Sequence, residues 1–502
     1  MGYHWKDSWA AAGLAPRLAR ATAIAKTTEQ TDRDAVLGIR DGKGVEMERP
    51  AYWVVVRRIL APVTLDECEK RGLMRILVVG SGGREHAIIW SLSRSSGEHQ
   101  LYCAPGNPGT GPLATNVPIA ADKVPSLVAF AISEGIELCI VGPEVPLVMG
   151  LADRLRDAGI LVVGPSAAAA RLEGSKAFSK AFMRRYGIPT AEYRIFQGSE
   201  HADALSYVHK VGAPIVIKAS GLAAGKGAVV CMTMAEAEEA LSAMMEDQMF
   251  GDAASQVVVE EFMEGEEVSL FALCDGSDYV LLSPAQDHKR IGEGDTGPNT
   301  GGMGAYCPAP VLSEPLLESA CANVIEPTLA GMAREGHPYS GILYVGLMLT
   351  PHGPRVVEYN CRLGDPETQP VLMLLESDAV ELFTAAAAGQ LKMFDVQVSS
   401  DSAACVVLAS EGYPGSYPKG RRISGVEAAS TQPGVEVFQA GTSMTPDGLA
   451  TSGGRVMAVT ARAPELEEAL AMCYEAVGLI SFEGMQYRRD IGKKGLAHLA
   501  KA

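Results

Sequence analysis

An α/β fold that begins with a parallel sheet is predicted by three observations on this chain. From Met74 onward, short apolar runs alternate with amphipathic stretches of helical period, the rhythm of strand–helix–strand units whose sheet is covered on both faces. The segments that follow successive apolar runs, 80–86, 104–110 and 142–146, are turn-like, and open parallel sheets hold ligands in loops at that end of their strands. The 502-residue length, with 47% apolar residues and 54 glycines, fits a loop-rich protein of roughly three domains at about 150 residues each.

The first unit reads as a strand over 75–79, a helix near 84–94, a strand over 100–103, a helix near 125–134, a strand over 137–141, a helix near 146–157 and a closing strand over 160–163. A helical pattern over 167–186 stops at Gly187 and Pro189, because glycine admits the left-handed cap and proline cannot continue a helix. A second α/β region follows, in which IVIK at 215–218 is a strand, GLAAGKG at 221–227 a glycine-rich turn, and 229–232 the returning partner. Thr233 and Glu236 form a capping-box pair ahead of a helix. Strands are predicted over 256–260 and 267–273, whereas 283–311 carries no apolar periodicity. A polar passage of that length in a compact domain reads as a functional or disordered loop. Beyond 397, the runs CVVLAS and RVMAVTA read as strands and 464–477 as a helix, together a small α+β module. Residues 1–73 lack clear periodicity and match neither a secretory signal nor a transit peptide. They are expected to be a disordered leader or to precede the functional start at Met74.

Composition narrows the partners. The 43 basic and 60 acidic residues give a formal charge of −17, which argues against broad contact with a phosphate backbone, so nucleic acid is not expected. No apolar run is long enough to span a bilayer. The ten cysteines are scattered without a CxxC pair and read as buried thiols of a reducing cytoplasm.

The chemistry concentrates in VVEYNCRLGDPETQPV at 356–371. Residues i and i+2 of a strand share a face, so Glu358 and Asn360 offer hard oxygen ligands to one point while Tyr359 packs behind and Cys361 faces away. Arg362, Asp365 and Glu367 follow. A cation site, a guanidinium and further carboxylates beside one strand are what phosphoryl transfer needs. The turn GSGGREH at 80–86 opens a helix and can hold an anion on its amides. It lacks the third glycine of a dinucleotide fingerprint, where Glu85 stands, so a single sugar phosphate with Arg84 as partner fits better than NAD, beside the plainer reading of a structural turn. The 221–227 turn is not a Walker A loop, because Gly227 replaces the magnesium-binding hydroxyl. It joins two strands and can fold over nucleotide phosphates, with Lys218 and Lys176 neutralising charge. Residues 260–263 read either as a hinge whose backbone meets an adenine edge, with Glu267 on ribose hydroxyls, or as solvated charge. In DHKR at 287–290, a phosphate or carboxylate clamp fits better than a catalytic His288, and 299–304 (NTGGMG) adds close-approach amides.

The strings GSGGREHA, APGNPGT, IVGPE, LEGSKAFSK, PIVIKASGLAAGKG, SPAQDHKR, DTGPNTGGMGAY and EYNCRLGDPETQP together resemble the phosphoribosylamine–glycine ligases, or glycinamide ribonucleotide synthetases, from Met74 to about Gly492. The resemblance implies an ATP-grasp fold, with a substrate domain at 74–175, an ATP-grasp core at 176–392 whose mobile lid lies near 192–265, and a C-terminal domain at 393–502. It implies that ATP phosphorylates glycine and that 5-phosphoribosylamine then attacks the glycyl phosphate. Glu358 and Asn360 would hold Mg²⁺ or Mn²⁺, and Arg362, Lys218 and Asp287 would act in catalysis. Lys176, Lys218, Gly221, Gly225, Lys226, Gly227, Glu260, Glu261, Phe262 and Glu267 would bind ATP. Gly82, Gly83 and Arg84 would take the sugar phosphate, with Glu85, Asn107, Lys289, Arg290, Asn299, Thr300, Gly301 and Gly302 completing the substrate side. A monofunctional cytoplasmic monomer is expected. The alternatives are another ATP-grasp carboxylate ligase and a non-catalytic nucleotide sensor.

Overall fold

A computed structural model describes residues 73–222, 227–245 and 255–501. The leader expected at 1–73 therefore falls almost wholly outside the described residues, as do Gly225 and Lys226.

The first unit runs β1 (Arg75–Gly80), α1 (Gly83–Ser93), β2 (Gln100–Pro105), β3 (Thr115–Asn116), α2 (Val124–Glu134), β4 (Leu138–Val141), α3 (Glu144–Val148), α4 (Leu151–Asp157) and β5 (Leu161–Val163). Its sheet has the order β3-β2-β1-β4-β5 and every pairing is parallel. β1 is buried along five of its six residues, as a strand covered on both faces must be. The helix expected near 146–157 is two helices, divided where Gly150 takes φ +82°, a conformation that glycine adopts without a Cβ clash. The 167–186 pattern likewise divides into α5 (Arg171–Gly174) and α6 (Lys176–Tyr186). Ser175 turns extended between them, and its side chain accepts from the Phe178 amide, the local bond that makes serine an N-cap.

The next unit is antiparallel: β6 (Tyr193–Gln197), α7 (His201–Val211), β7 (Ile215–Ala219), β8 (Ala228–Cys231), α8 (Met234–Met245) and β9 (Gln256–Glu261), with sheet order β6-β9-β7-β8. It closes a core of its own around Phe196, Ile217, Leu241 and Val259. The capping box forms as expected, with the Glu236 carboxylate accepting from the Thr233 amide at 3.1 Å and Thr233 Oγ1 from the Glu236 amide at 3.3 Å.

Then come β10 (Glu266–Asp275), β11 (Tyr279–Asp287), β12 (Arg290–Gly292), β13 (Thr296–Asn299), β14 (Gly304–Cys307), α9 (Glu314–Ala320), α10 (Glu326–Arg334), β15 (Ser340–Thr350), β16 (Gly353–Asn360), α11 (Thr368–Leu374) and α12 (Ala379–Ala387). The passage at 283–311 is thus not a loop. It holds the end of β11, the β12–β13 hairpin and β14, short strands whose glycines and polar residues mask any period-2 signal. β17 (Ser402–Ala409), α13 (Val426–Ser430), β18 (Val435–Gln439), β19 (Thr442–Thr445), β20 (Gly448–Thr451), β21 (Arg455–Ala463), α14 (Leu466–Val477) and α15 (Lys493–Leu499) complete the chain.

One eight-stranded sheet, β16-β15-β10-β11-β14-β17-β21-β18, unites the middle and the end of the chain, because β14 pairs with β17. A shared apolar core joins Ile76 and Ile88 of the first unit to Leu372, Phe383, Val407 and Phe438. That packing brings the carboxyl ends of the parallel strands against the turn after β16. No described helix is long and apolar enough to cross a membrane.

Candidate active site

A cavity of about 490 Å³ lies where the three parts of the chain meet. Its floor is β16, antiparallel to β15, with Glu358 opposite Gly346 and Asn360 opposite Tyr344. A register shift beside Gly346 leaves Val357 as an extra residue, a bulge that re-aims a strand's side chains. Beyond it Glu358 and Asn360 both line the cavity, while Tyr359 is buried behind with its hydroxyl on Thr328 Oγ1 at 2.7 Å. Cys361 is buried on the far side. The bulge also leaves the Val357 carbonyl to accept from Lys218 Nζ at 3.2 Å.

Lys218, on β7, comes from the antiparallel unit. Its ammonium and that of Lys180, on α6, both meet Glu260 Oε2, at 2.9 and 3.1 Å, and all three side chains are buried. Lys180 also donates to Thr190 Oγ1 at 2.7 Å, and burial lowers its pKa to about 8. Lys176 begins α6, with its amide on the Ser220 carbonyl at 2.7 Å and its ammonium 3.3 Å from the Gly221 carbonyl. Glu261 pairs with Arg355 at 2.5 Å, and its amide donates to the Glu192 carbonyl at 2.9 Å. Phe262 and Met263 line the wall beside them.

Arg362 is held by two carboxylates that the sequence reading assigned no role. Its Nη2 lies 2.9 Å from Glu173 Oε1 and its Nε 3.6 Å from Glu144 Oε2, and Nη2 also donates to Asn360 Oδ1 at 3.2 Å. Burial raises the Glu173 pKa, whereas at Glu144 the cations Arg362 and Arg84 outweigh burial and lower it.

On the opposite wall Lys289 Nζ meets Glu267 Oε2 at 2.7 Å. The Asp287 pKa is also raised. Burial, with Glu367, Glu267 and Glu358 nearby and only Lys289 opposing, pushes its carboxyl up to about 7. Glu358 moves the other way, since Lys289, Lys218 and Lys176 outweigh burial and hold it ionised. Glu367 is buried, accepts from Ser269 Oγ at 3.2 Å, and is raised by burial.

The first unit reaches the cavity through Arg84, which donates to Glu85 Oε1 at 2.6 Å and to the Leu363 carbonyl at 3.2 Å. Glu85 turns inward to its own loop, accepting from the Gly82 amide at 2.5 Å. Asn107 ties that loop to the C-terminal unit, with Nδ2 on the Ser81 carbonyl at 2.9 Å and the Gln439 carbonyl at 2.8 Å. A Cβ on Gly83 would stand 2.8 Å from Gln369 Nε2, so the turn packs against the segment after β16. Arg455, at the start of β21, crosses to Asp365 Oδ2 at 3.0 Å and also donates to the Gly301 carbonyl.

Of the residues singled out from sequence, Arg84, Lys176, Lys218, Gly227, Glu260, Glu261, Phe262, Glu267, Asp287, Lys289, Asn299, Thr300, Gly301, Glu358, Asn360, Arg362, Asp365 and Glu367 line this cavity. Gly82, Gly83, Glu85, Asn107, Gly221 and Gly302 stand behind its lining and shape the turns that carry it. Arg290 points along its hairpin to the Gly297 carbonyl at 2.7 Å. His288 is buried outside the cavity against Tyr306, where burial lowers its pKa to about 4. The cavity adds Glu144, Glu173, Lys180, Tyr344 and Arg455. Glu144 and Glu173 sit within IVGPE and LEGSK and were open to notice, but Arg455 begins an ordinary apolar strand.

The donor set suits a small hard cation. Glu358 is ionised among ammonium groups, Asn360 supplies an amide oxygen, and burial, with neighbouring carboxylates, keeps Asp287 protonated toward neutrality. Among the described residues no three His, Cys, Asp or Glu side chains form a ready cage. A pair of protein ligands fits an ion such as Mg²⁺ that keeps waters and takes phosphate oxygens as its remaining ligands.

Models of the phosphoribosylglycinamide synthetase family match the chain in three consecutive parts: the N domain over 74–173, the ATP-grasp (A) domain over 174–368 and the C domain over 403–494. The chain belongs to the phosphoribosylglycinamide synthetase family. Phosphoribosylamine–glycine ligase of Vibrio cholerae is 49% identical over 427 residues, spanning 84% of this chain and 99% of that protein. The ligase of the same name from Chlorobaculum tepidum is 50% identical over 427 residues, 84% of this chain and all of that one. The crystal structure of phosphoribosylamine–glycine ligase from Thermotoga maritima superposes with a TM-score of 0.72 at 35% identity, covering 83% of this chain and 100% of that one. A biotin carboxylase from Campylobacter jejuni, at 14% identity and a TM-score of 0.63, shares the fold alone.

Proposed function

We propose that this family member is a phosphoribosylamine–glycine ligase, joining glycine to 5-phosphoribosylamine in purine biosynthesis and releasing glycinamide ribonucleotide, ADP and phosphate. The observation that carries the reading is a single cavity in which Lys176 and Lys218, the Glu358–Asn360 pair and Arg362 meet Arg84, Lys289 and Thr300. One set neutralises a nucleotide triphosphate and the other receives anionic co-substrates.

In the first step a glycine carboxylate oxygen attacks the γ-phosphorus of ATP, the bond to the β-phosphate oxygen breaks, and ADP leaves. In the second the amine of phosphoribosylamine attacks the glycyl carbonyl carbon, the amide bond forms, and phosphate departs with its oxygen as the amine loses a proton. No enzyme nucleophile is required. Glu358 and Asn360 would hold Mg²⁺, which when bound would supply neutralisation of the nucleotide's phosphate charge. Lys218, oriented by Glu260 and the Val357 carbonyl, and Lys176 carry the remaining phosphate charge. Arg362, steadied between Glu144 and Glu173, faces the transferring group, where fixed charge is worth most because nothing must reorganise during reaction. Asp287, with its carboxyl titrating near neutrality, can exchange the proton that the amine loses. The walls from Glu260 to Met263 and Glu267 hold adenosine. The reading includes the domain division at 74–175, 176–392 and 393–502, a lid near 192–265, and a cytoplasmic monomer.

The test is ADP release by the purified chain in a coupled assay. Release that requires glycine and phosphoribosylamine together is expected, and unchanged turnover when glycine is omitted would overturn the assignment.

A further inference from the structure

The β12–β13 hairpin carries cavity residues at its two roots, Lys289 on one side and Asn299 with Thr300 on the other. The roots are closed by the Lys289 carbonyl, which accepts from the Thr300 amide at 2.8 Å and from Thr300 Oγ1 at 2.9 Å. The far end of the hairpin is held by a segment almost two hundred residues later. Arg488, only 2% exposed, donates through Nε and Nη2 to the two oxygens of Asp490, both at 2.7 Å, and through Nη1 to Asp295 Oδ1 at 2.8 Å and to the Arg290 carbonyl at 3.1 Å. Asp490 Oδ2 accepts from the Gly294 amide at 2.8 Å, and Lys494 Nζ lies 2.6 Å from Asp295 Oδ2. Asp295 is also the one non-glycine residue with positive φ, +57°, among the described residues, a turn conformation that L side chains adopt at a cost unless their surroundings hold them there.

We propose that Arg488 is a positioning residue for the ligase reaction. With Asp295 and Asp490 it clamps the 290–299 hairpin, so that Lys289, Asn299 and Thr300 face the co-substrate side of the cavity in one geometry. Three features favour this over simple packing. The guanidinium is forked onto two acids of different segments, a backbone carbonyl of the hairpin is a further acceptor, and the strained residue is the one that both Arg488 and Lys494 grip. Arginine suits the task because its planar fork fixes direction as well as charge. The inference rests on the ligase reading, and its test separates the two.

In the full-length chain, Arg488→Leu, Arg488→Lys and the milder Asp295→Asn are compared with wild type by hydrogen exchange of the 290–303 amides and by steady-state kinetics. Faster exchange confined to the hairpin is expected in all three. The KM for glycine or phosphoribosylamine should rise about tenfold in Arg488→Leu, with Arg488→Lys falling between it and wild type, while the KM for ATP stays within twofold. Unchanged hairpin exchange overturns the clamp, as does a KM change of equal size for all three substrates. Faster exchange in a chain whose wild type lacks ligase turnover would support the clamp and overturn the ligase reading. Asp295 is partly exposed, so Asp295→Asn keeps the test decisive if Arg488→Leu does not fold.

Discussion

At the scale of single residues, the cavity sorts its carboxylates by their neighbours. Glu358 sees Lys289, Lys218 and Lys176, which outweigh burial and hold it ionised, while burial and the neighbouring carboxylates, opposed by Lys289, push Asp287 to about 7. Divergent environments for like groups are how a fold separates a permanent anion from a proton carrier. Replacing Glu358 by Ala should abolish metal-dependent ADP release, a loss on the order of 10² or more, with the circular dichroism spectrum unchanged. Wild-type turnover in that variant would remove the metal assignment. Asp287 yields a pH prediction. Its folded-state pKa lies above the ordinary value, so between about pH 4 and pH 7 the folded chain binds more protons than the unfolded one, and this group's contribution to stability falls as pH rises through that window. The shift in denaturant midpoint on going from pH 5 to pH 8 should therefore be more favourable to the folded state in Asp287→Asn than in wild type. An equal or less favourable shift in the variant would contradict the acid-crowded setting. The alternation that paired Glu358 with Asn360 was legible in six letters. The partners of Arg362 were not, because Glu144 and Glu173 lie about two hundred residues upstream.

At the scale of elements, the turns that line the cavity are fitted to one another. Gly302 has φ +108°, and a Cβ there would overlap Pro366 Cδ, so the 299–304 turn can approach the turn after β16 only with glycine at this position. Gly302→Ala should lower stability by about 1–3 kcal/mol and cost activity beyond that loss. A variant with wild-type melting temperature and turnover would show that the two turns do not need this contact. Pairing also explains why the passage at 283–311 is ordered without periodicity. Its short strands are rich in glycine and polar residues and pair across a hairpin and with β17, so their order comes from partners rather than from periodicity. The bulge at Val357 also had no local signature. It arises where β16 must match the register of β15, and it orients both Glu358 and the carbonyl that meets Lys218.

At the scale of the whole molecule, the eight-stranded sheet makes the C-terminal unit part of the cavity wall, through Arg455, instead of an appendage. β14 would become an open edge without β17, and Arg455 would no longer hold Asp365. A chain ending at residue 401 should be insoluble or inactive, judged by soluble yield and ADP release, since an exposed edge strand invites association. A soluble truncated chain with full turnover would mean that β17, β18 and β21 are dispensable. Strand and helix periodicity, the caps, the glycine turns and the hard-oxygen pair on β16 were readable from the chain alone, because each depends on residues within about a turn or a strand of one another. The dense collinear motifs likewise pointed to the family that the relatives later bore out. Which carboxylate pairs with which cation, which acid keeps its proton, and how a C-terminal arginine comes to hold the separate β12–β13 hairpin were settled by packing. Those outcomes depend on burial and on charges brought together across tens to about two hundred residues of sequence, and no local spacing encodes either.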